Sequence, residues 1–264
     1  SFLANASYVK NEIKNLGNQT GYIDKESLPT LGAVSRNENG YPIGYFFGYK
    51  AIGVFQTQEE IDSYISPATG KPIQPNAAPG DTKFEDLNGD GVISDDNEDR
   101  TMIGKPNPDW MVGLTVAADW NGFDLSAFFQ GSFGADVFDA LRRYELAAVN
   151  YTSDALERWT GPGTSNSMPR IVLGDTPKNF RPSTLLVHDA SFLRLRNLQV
   201  GYTLPAQLTR KAYIQRLRFY ASFDNLLTIT GYKGMDPEIG STMGIDKGVY
   251  PQARVYTFGL NLTF

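Results

Sequence analysis

The chain has 264 residues and a formal net charge of −5 spread along its length, which argues against a nucleic-acid binder and against a basic membrane-surface patch. It contains no cysteine, so it offers no disulfide framework, no thiolate zinc site and no thiol nucleophile. Aromatic residues are abundant (14 Tyr, 16 Phe, 3 Trp), yet no run of about 18 apolar residues would make a transmembrane helix. A transmembrane β-barrel leaves the same blank, because each of its strands signals only by alternation.

Ser1 opens directly on a strand pattern with no charged and apolar leader, which points to a processed chain or a piece of a longer one. Phe2, Ala4, Ala6 and Tyr8 alternate with Leu3, Asn5, Ser7 and Val9. A polar connection rich in Gly, Asn and Asp is expected to about Gly40. Tyr41 to Phe55 then reads as a Gly- and aromatic-rich strand, its glycines suggesting close backbone approach or a bend. Residues 57–109 read as a long connection holding a short helix around Glu59–Tyr64, a Pro-rich segment from Pro67 to Pro79 and an acidic loop.

Two clean strands follow. Trp110, Val112, Leu114, Val116, Ala118 and Trp120 share one face, and Asn121-Gly122 supplies a two-residue type I′ hairpin turn. Phe123, Leu125, Ala127, Phe129 and Phe133 resume the apolar face. The spacing of Trp110 and Trp120 suits a tilted strand crossing a bilayer between two aromatic girdles. Residues 135–190 read as a second long insertion, with Val137, Leu141, Tyr144 and Ala148 on one helical face and Asp154 and Glu157 marking a capped helix start.

From Ser191 to Leu204, Leu193 and Leu195 lie on one phase and Leu198, Val200, Tyr202 and Leu204 on the other, so a bulge is predicted near Arg196-Asn197. Pro205–Gln215 is a turn, and Leu217, Phe219, Ala221 and Phe223 mark the next strand. Residues 231–253 form a Gly-rich loop. The last strand alternates Tyr256, Phe258, Leu260, Leu262 and Phe264 against Val255, Thr257, Gly259, Asn261 and Thr263, a greasy face and a small polar one.

Seven strands with short turns alternating with long connections give the asymmetry of an outer-membrane barrel. Parity puts the connections 57–109, 135–190 and 231–253 on one side, the extracellular one if the C-terminus is periplasmic. The connection 15–44 then falls on the opposite side, where it is oddly long. Connections of this length inside a compact domain are usually functional.

Several stretches together resemble SusC/RagA-type TonB-dependent outer-membrane transporters: Gly40–Lys50, Gly80–Ile93, Asp99–Asp109, Arg158-Trp159, Asp189–Pro205, Asp224–Tyr232 and Asp236-Pro-Glu238. The resemblance implies an all-β fold, in which residues 1–264 are the C-terminal part of an antiparallel transmembrane barrel of about 22 strands with long extracellular loops. The plug domain, the TonB box and the remaining strands would lie outside this chain. It further implies import of oligosaccharide or peptide across the outer membrane of a Gram-negative bacterium, energy from TonB through the plug, contact with outer-membrane lipid, and a SusD-like surface lipoprotein as partner. The three long loops are expected to meet that lipoprotein and its ligand.

The residues themselves offer one metal candidate. Asp86, Asn88 and Asp90 at positions 1, 3 and 5, Gly91 at 6 and the carbonyl of Val92 at 7 match an EF-hand-type Ca²⁺ loop. Position 12 is Asn97 instead of a bidentate Glu, and Glu98 or Asp99 would supply the carboxylate if the loop bulges. The alternative is a metal-free loop of Asx turns. His188, the only histidine, lies beside Asp189 at a strand entrance and reads as a surface residue. No HExxH, GxSxG or Walker pattern is present, so catalysis is not expected. A second functional class, a soluble calcium-stabilised β-sandwich that binds carbohydrate, is told apart by the solvent that the Trp110/Trp120 and Tyr256/Phe264 faces meet.

Overall fold

The computed structural model describes residues 1–264 apart from 30, 96–97, 143–149 and 240–242. The elements begin with β1 (Phe2–Tyr8), β2 (Tyr22–Leu28), β3 (Gly32–Glu38), β4 (Tyr45–Tyr49), β5 (Ala51–Val54), α1 (Gln58–Ser63), β6 (Thr82–Phe84) and β7 (Arg100–Gly104). The long pair β8 (Trp110–Trp120) and β9 (Phe123–Phe133) follows, then β10 (Asp136–Asp139), β11 (Val187–Asp189) and β12 (Phe192–Thr203). The chain ends with α2 (Ala206–Thr209), β13 (Arg216–Thr230), β14 (Ile245–Asp246) and β15 (Val255–Thr263).

One antiparallel sheet of six strands, in the order β1-β8-β9-β12-β13-β15, is the frame of the molecule. Its register aligns the apolar phases across every pair. Leu114 lies opposite Phe129, Phe129 opposite Leu195, and Leu195 opposite Leu227. Nearer the other end, Trp120 faces Phe123, Phe123 faces Tyr202, Tyr202 faces Phe219 and Phe219 faces Leu260. One sheet face is therefore apolar from edge to edge. The other carries the rows Ser126–Gln199–Ser222–Thr257 and Gln130–Arg194–Thr228. On it Asp124 of β9 is paired with Arg218 of β13 across Gly201, where any Cβ would meet both side chains. Eleven residues of β8 separate Trp110 from Trp120 inclusive. At about 3.4 Å per step and a tilt of about 45° that is a height of about 24 Å.

The turn at Asn121-Gly122 has positive φ at both positions (49° and 85°), as a type I′ hairpin demands. The predicted bulge is also present: the β12 register jumps between Leu195 and Asn197 against both neighbours. Arg196 is the extra residue. By taking no place in either ladder it returns Leu198 to the face already occupied by Leu195.

The largest correction concerns residues 9–109. Tyr41–Phe55 is no wall strand, because β1 pairs directly with β8. Everything between them is a single excursion that leaves and returns at one edge. The polar connection expected to Gly40 contains the hairpin β2–β3, which joins β4 and β7 in a four-stranded sheet. Once 9–109 is one excursion, no long connection remains on the short-turn side. Residues 9–109, 134–191 and 231–254 all emerge from the same edge.

The three excursions share one core. Val34 and Phe46 come from the first, Phe138 and Leu186 from the second and Ile245 from the third, each no more than 2% exposed. The residues Val137 and Leu141, read as a helical face, do not form one: Val137 lies in β10, between β11 and β14 in a small sheet of its own. Tyr144 and Ala148 lie outside the described residues. Asp154 and Glu157 belong to a short 3-10 turn at Ser153–Glu157 without a side-chain cap. The helix expected at Glu59–Tyr64 is α1, whose N-cap Thr57 accepts the Glu60 N–H while Glu60 accepts the Gln56 N–H.

All five residues of β4 are buried. Gly48 there permits close approach of the second excursion: a Cβ at that position would lie 2.4 Å from the Pro182 carbonyl oxygen, which accepts the Tyr49 N–H. Gly48→Ala is expected to destabilise the excursion body by about 1–3 kcal/mol through overpacking. Faster limited proteolysis within 134–191, with the six-stranded wall intact, is the reading that checks it.

Candidate functional site

The functional surface is built where the excursions meet the polar face of the wall. β12 contributes two arginines two residues apart, Arg194 in the ladder and Arg196 at the bulge. The bulge lets both reach the third excursion. Arg194, only 2% exposed, donates to Asp236 through Nη2 and to Glu238 through Nη1 at 3.1 Å. Arg196 donates to both Glu238 oxygens at 2.6 Å, to Gln130 at 2.6 Å and to Asn225 at 3.2 Å. Asp236 also accepts the N–H groups of Glu238 and Gln252, each at 2.9 Å. Burial alone would raise the Asp236 carboxyl. Those two N–H groups and the Arg194 guanidinium outweigh it and hold the pKa below the usual value. The turn Asp236-Pro237-Glu238 is thus clamped onto the wall. The signal in the sequence is an acidic pair spaced by one residue (Asp236, Glu238) matching a basic pair spaced by one (Arg194, Arg196), a pattern that names no partner until the bulge places both arginines.

A second polar group lies in the small sheet. Tyr232 donates to Asp246 at 2.7 Å, and burial followed by that bond raises its pKa. His188 sits on β11 at 3.9 Å from Asp139, its Nε2 buried without a hydrogen-bond partner. Burial and then the Arg142 charge lower its pKa, so the ring is neutral at pH 7. It is half-buried, not the surface residue that the sequence suggests.

The structure brings most of the calcium-like loop together. Asp86 accepts the N–H groups of Gly89 (2.8 Å) and Gly91 (2.9 Å), and Asp90 accepts that of Val92 at 2.8 Å. The Asn88 amide nitrogen lies between two carboxylates, 2.9 Å from Asp90 and 2.8 Å from Glu98. Asn97 lies outside the described residues. Asp99 is not positioned as a ligand: fully buried, it closes the neck of the loop by accepting the Leu87 and Ser94 N–H groups, both at 3.1 Å. Among the described residues, no three acidic or histidine side chains converge on one point as a preformed metal site requires.

No family model matches the chain. Individual relatives do. TonB-dependent receptor P3 of Formosa agariphila is 34% identical over 85% of the chain, and TonB-dependent receptor SusC of Bacteroides thetaiotaomicron is 30% identical over 98%. The RagAB peptide transporter superposes on the whole chain with a TM-score of 0.73 and 28% identity. The RagAB peptide importer in its open-open state does so at 0.71 and 26%. The chain belongs to the SusC/RagA-type TonB-dependent receptors. It spans about a quarter of the length of these relatives, 22% and 24% of the two receptors and 26% of each RagAB chain. Its six-stranded sheet is accordingly a barrel segment, open at β1 and β15.

In this receptor segment Arg194→Ala would leave Asp236 buried with its strongest counter-charge removed. A loss of about 3–5 kcal/mol is expected for a broken buried pair. Because the Asp236 pKa is depressed on folding, the clamp's contribution is complete above the ordinary carboxylate pKa. It is lost as pH falls through the lowered value. The protection factor of the Gln252 N–H in the full-length receptor should stay high at neutral pH and fall only in acid, whereas in the variant it should be low throughout.

Proposed function

We propose that this chain forms wall and outward face of an outer-membrane importer that takes up oligosaccharides or peptides. Energy is delivered by TonB to a plug domain inside the barrel, and a SusD-like surface lipoprotein captures the ligand. The observation that supports it most is the sheet itself: one face continuously apolar, the other charged and hydrogen-bonded, and every long excursion at one edge. An apolar face of this extent suits lipid, and a polar one suits a wet lumen. A soluble sandwich would instead need its greasy faces packed against each other. Phe2, Trp120 and Phe258 are between 75% and 80% exposed, and nothing within the described residues covers them.

The lipoprotein's natural seat is the excursion body. Leu156 and Leu173 of the second excursion and Met235 and Tyr250 of the third are exposed large apolar residues at its surface. Binding groups concentrate on long loops over a rigid frame. In the full-length receptor, Leu156→Glu combined with Leu173→Glu is expected to abolish co-purification of the lipoprotein and to reduce uptake of a labelled oligopeptide or oligosaccharide. The barrel should still assemble. Unchanged co-purification and unchanged uptake would remove this face from the reading.

We further propose that Asp86, Asn88, Asp90, the Val92 carbonyl and Glu98 hold Ca²⁺. The supporting observation is the Asn88 amide, whose N–H donors stand between Asp90 and Glu98 where a cation would neutralise both. Calcium would turn that amide to present its oxygen. Calorimetric titration of the full-length protein should show calcium heat that Asp90→Ala removes; equal heats for both proteins would leave only the Asx turns.

A further inference from the structure

Between the hairpin β2–β3 and the second excursion lies a cleft of about 800 Å³, lined by Tyr49, Asp95, Arg100, Lys178 and Arg181 among others. Lys178 and Arg181 also line a neighbouring cleft of about 660 Å³, which runs beside the Pro-rich segment from Pro72 to Ala77. The two cations therefore line both clefts and stand on the ridge between them.

Their placement is built in. Asp175 and Lys178 have positive φ (42° and 59°), a costly conformation for residues with side chains. The turn is held by the Asp175 carboxylate, which accepts the N–H groups of Asn179 and Phe180 at 2.9 Å each. Pro182 then docks on β4 at the Gly48 approach described above. Arg181 lies over the rings of Tyr49 (4.6 Å) and Phe84 (5.0 Å), so the plane of its guanidinium is fixed. Yet Arg181 Nη1 is buried and makes no hydrogen bond. The carboxylate recorded near it is Asp95, 3.9 Å away, too far for a bond, while Asp95 itself is 66% exposed and paired with Lys178. The Tyr49 hydroxyl donates to the Ser94 carbonyl at 2.6 Å and so holds Asp95 over the ridge.

We propose that Lys178 and Arg181 form a carboxylate-binding subsite of the import ligand, which the protein's own Asp95 occupies when no ligand carboxylate is bound. A fixed guanidinium with one unsatisfied donor and an adjacent half-exposed ammonium match a carboxylate's two oxygens. The aromatic floor of Tyr49 and Phe84 excludes water from one side. A ligand carboxylate displaces Asp95 into solvent, where its exposure makes the loss small, and takes both the Arg181 donor and the Lys178 charge. The chemistry is shared by two sources, the C-terminus of an oligopeptide and the uronate of an acidic oligosaccharide. Only the ligand's origin rests on the import reading; the subsite itself does not.

The test is calorimetric binding to the detergent-solubilised full-length receptor at one fixed calcium concentration. The probes are tetra-alanine against its C-terminal amide and tetragalacturonate against its methyl ester. At least one free acid should bind more tightly than its neutral partner, and which one does so names the source. Arg181→Gln is expected to weaken that acid about tenfold or more while leaving the neutral probe unchanged. Asp95→Asn should act in the opposite direction and tighten the acid, which no misfolded variant would do. Acids and neutral probes binding alike, an acid affinity unmoved by Asp95→Asn, or no binding of either acid would each overturn the subsite. If the acid that binds is not taken up by cells carrying the wild-type receptor, the import reading alone is overturned and the subsite stands.

Discussion

The wall depends on keeping an apolar face and a polar face apart along strands whose side chains alternate with a period of two. Any apolar residue displaced by one position would face the wrong side, and the whole strand beyond it would follow. β12 meets this problem within one sequence, since Leu195 and Leu198 are three positions apart and both belong to the apolar face. The extra residue Arg196 resolves it. β13 answers with an adjustment of its own: between Leu227 and Asp224 it passes two residues where β12 passes one. Asn225 there takes a positive φ of 52°. The irregularity thus crosses two strands and leaves the apolar rows on both sides of it continuous. It also frees Arg196 from the ladder, and that freedom is what allows one arginine to gather Gln130, Asn225 and Glu238.

Beyond the wall, the excursions have to hold themselves up. A lone loop of such length would lose too much entropy on ordering to be fixed by surface contacts. Here Phe46, Phe138 and Ile245 place one buried side chain from each excursion in a common core. β10 pairs with β11 of its own excursion and with β14 of the third. The hairpin β2–β3 is held differently. Its Arg36 is buried over the Phe47 ring at 3.6 Å, under Tyr22 at 4.0 Å, and bonded to Asp24 at 2.8 Å. The excursions are therefore a packed body mounted on one edge of the wall, and the clefts in it are shaped by that packing.

This division explains what could be read from the chain alone. The wall strands were legible because each has one apolar face and one polar face, and the Asn121-Gly122 turn and the bulge follow from the same alternation. The excursion strands break that rule for physical reasons. Tyr45–Tyr49 is buried on both sides, so it reads as a continuous apolar run and passes for a wall strand when only apolarity is counted. Tyr22–Leu28 carries Asp24, Lys25 and Glu26, and its stability comes from stacking and ion pairing across the hairpin, which no single-strand pattern reveals. Val137 and Leu141 fall at helical spacing by accident: Val137 lies in a strand of four residues too short for alternation to register, and Leu141 lies beyond its end. The acidic loop was legible as a loop with its Asx turns. The neck role of Asp99 was not, because burial of a carboxylate against backbone N–H groups depends on how the ends of the loop meet.

The clamp of Arg194 and Arg196 on Asp236 and Glu238 is better understood as a device of position than of stability. Desolvating a guanidinium and a carboxylate costs nearly as much as their attraction returns, and an apolar pair of equal volume would hold the loop about as tightly. The arrangement is not optimised bond by bond, since Arg194 Nε is buried without a partner. What charged groups add is direction. Asp236 accepts three donors from different quarters, the Arg194 guanidinium, the Glu238 N–H and the Gln252 N–H, and only one placement of the turn satisfies all of them. An apolar contact would let the third excursion slide along the wall by a residue at little cost. A sliding loop would lose the Asp236 and Glu238 contacts and shift the third excursion relative to the polar face. Fixing the excursion's register on β12 therefore links a defect in one strand's alternation to the placement of the loop above the polar face.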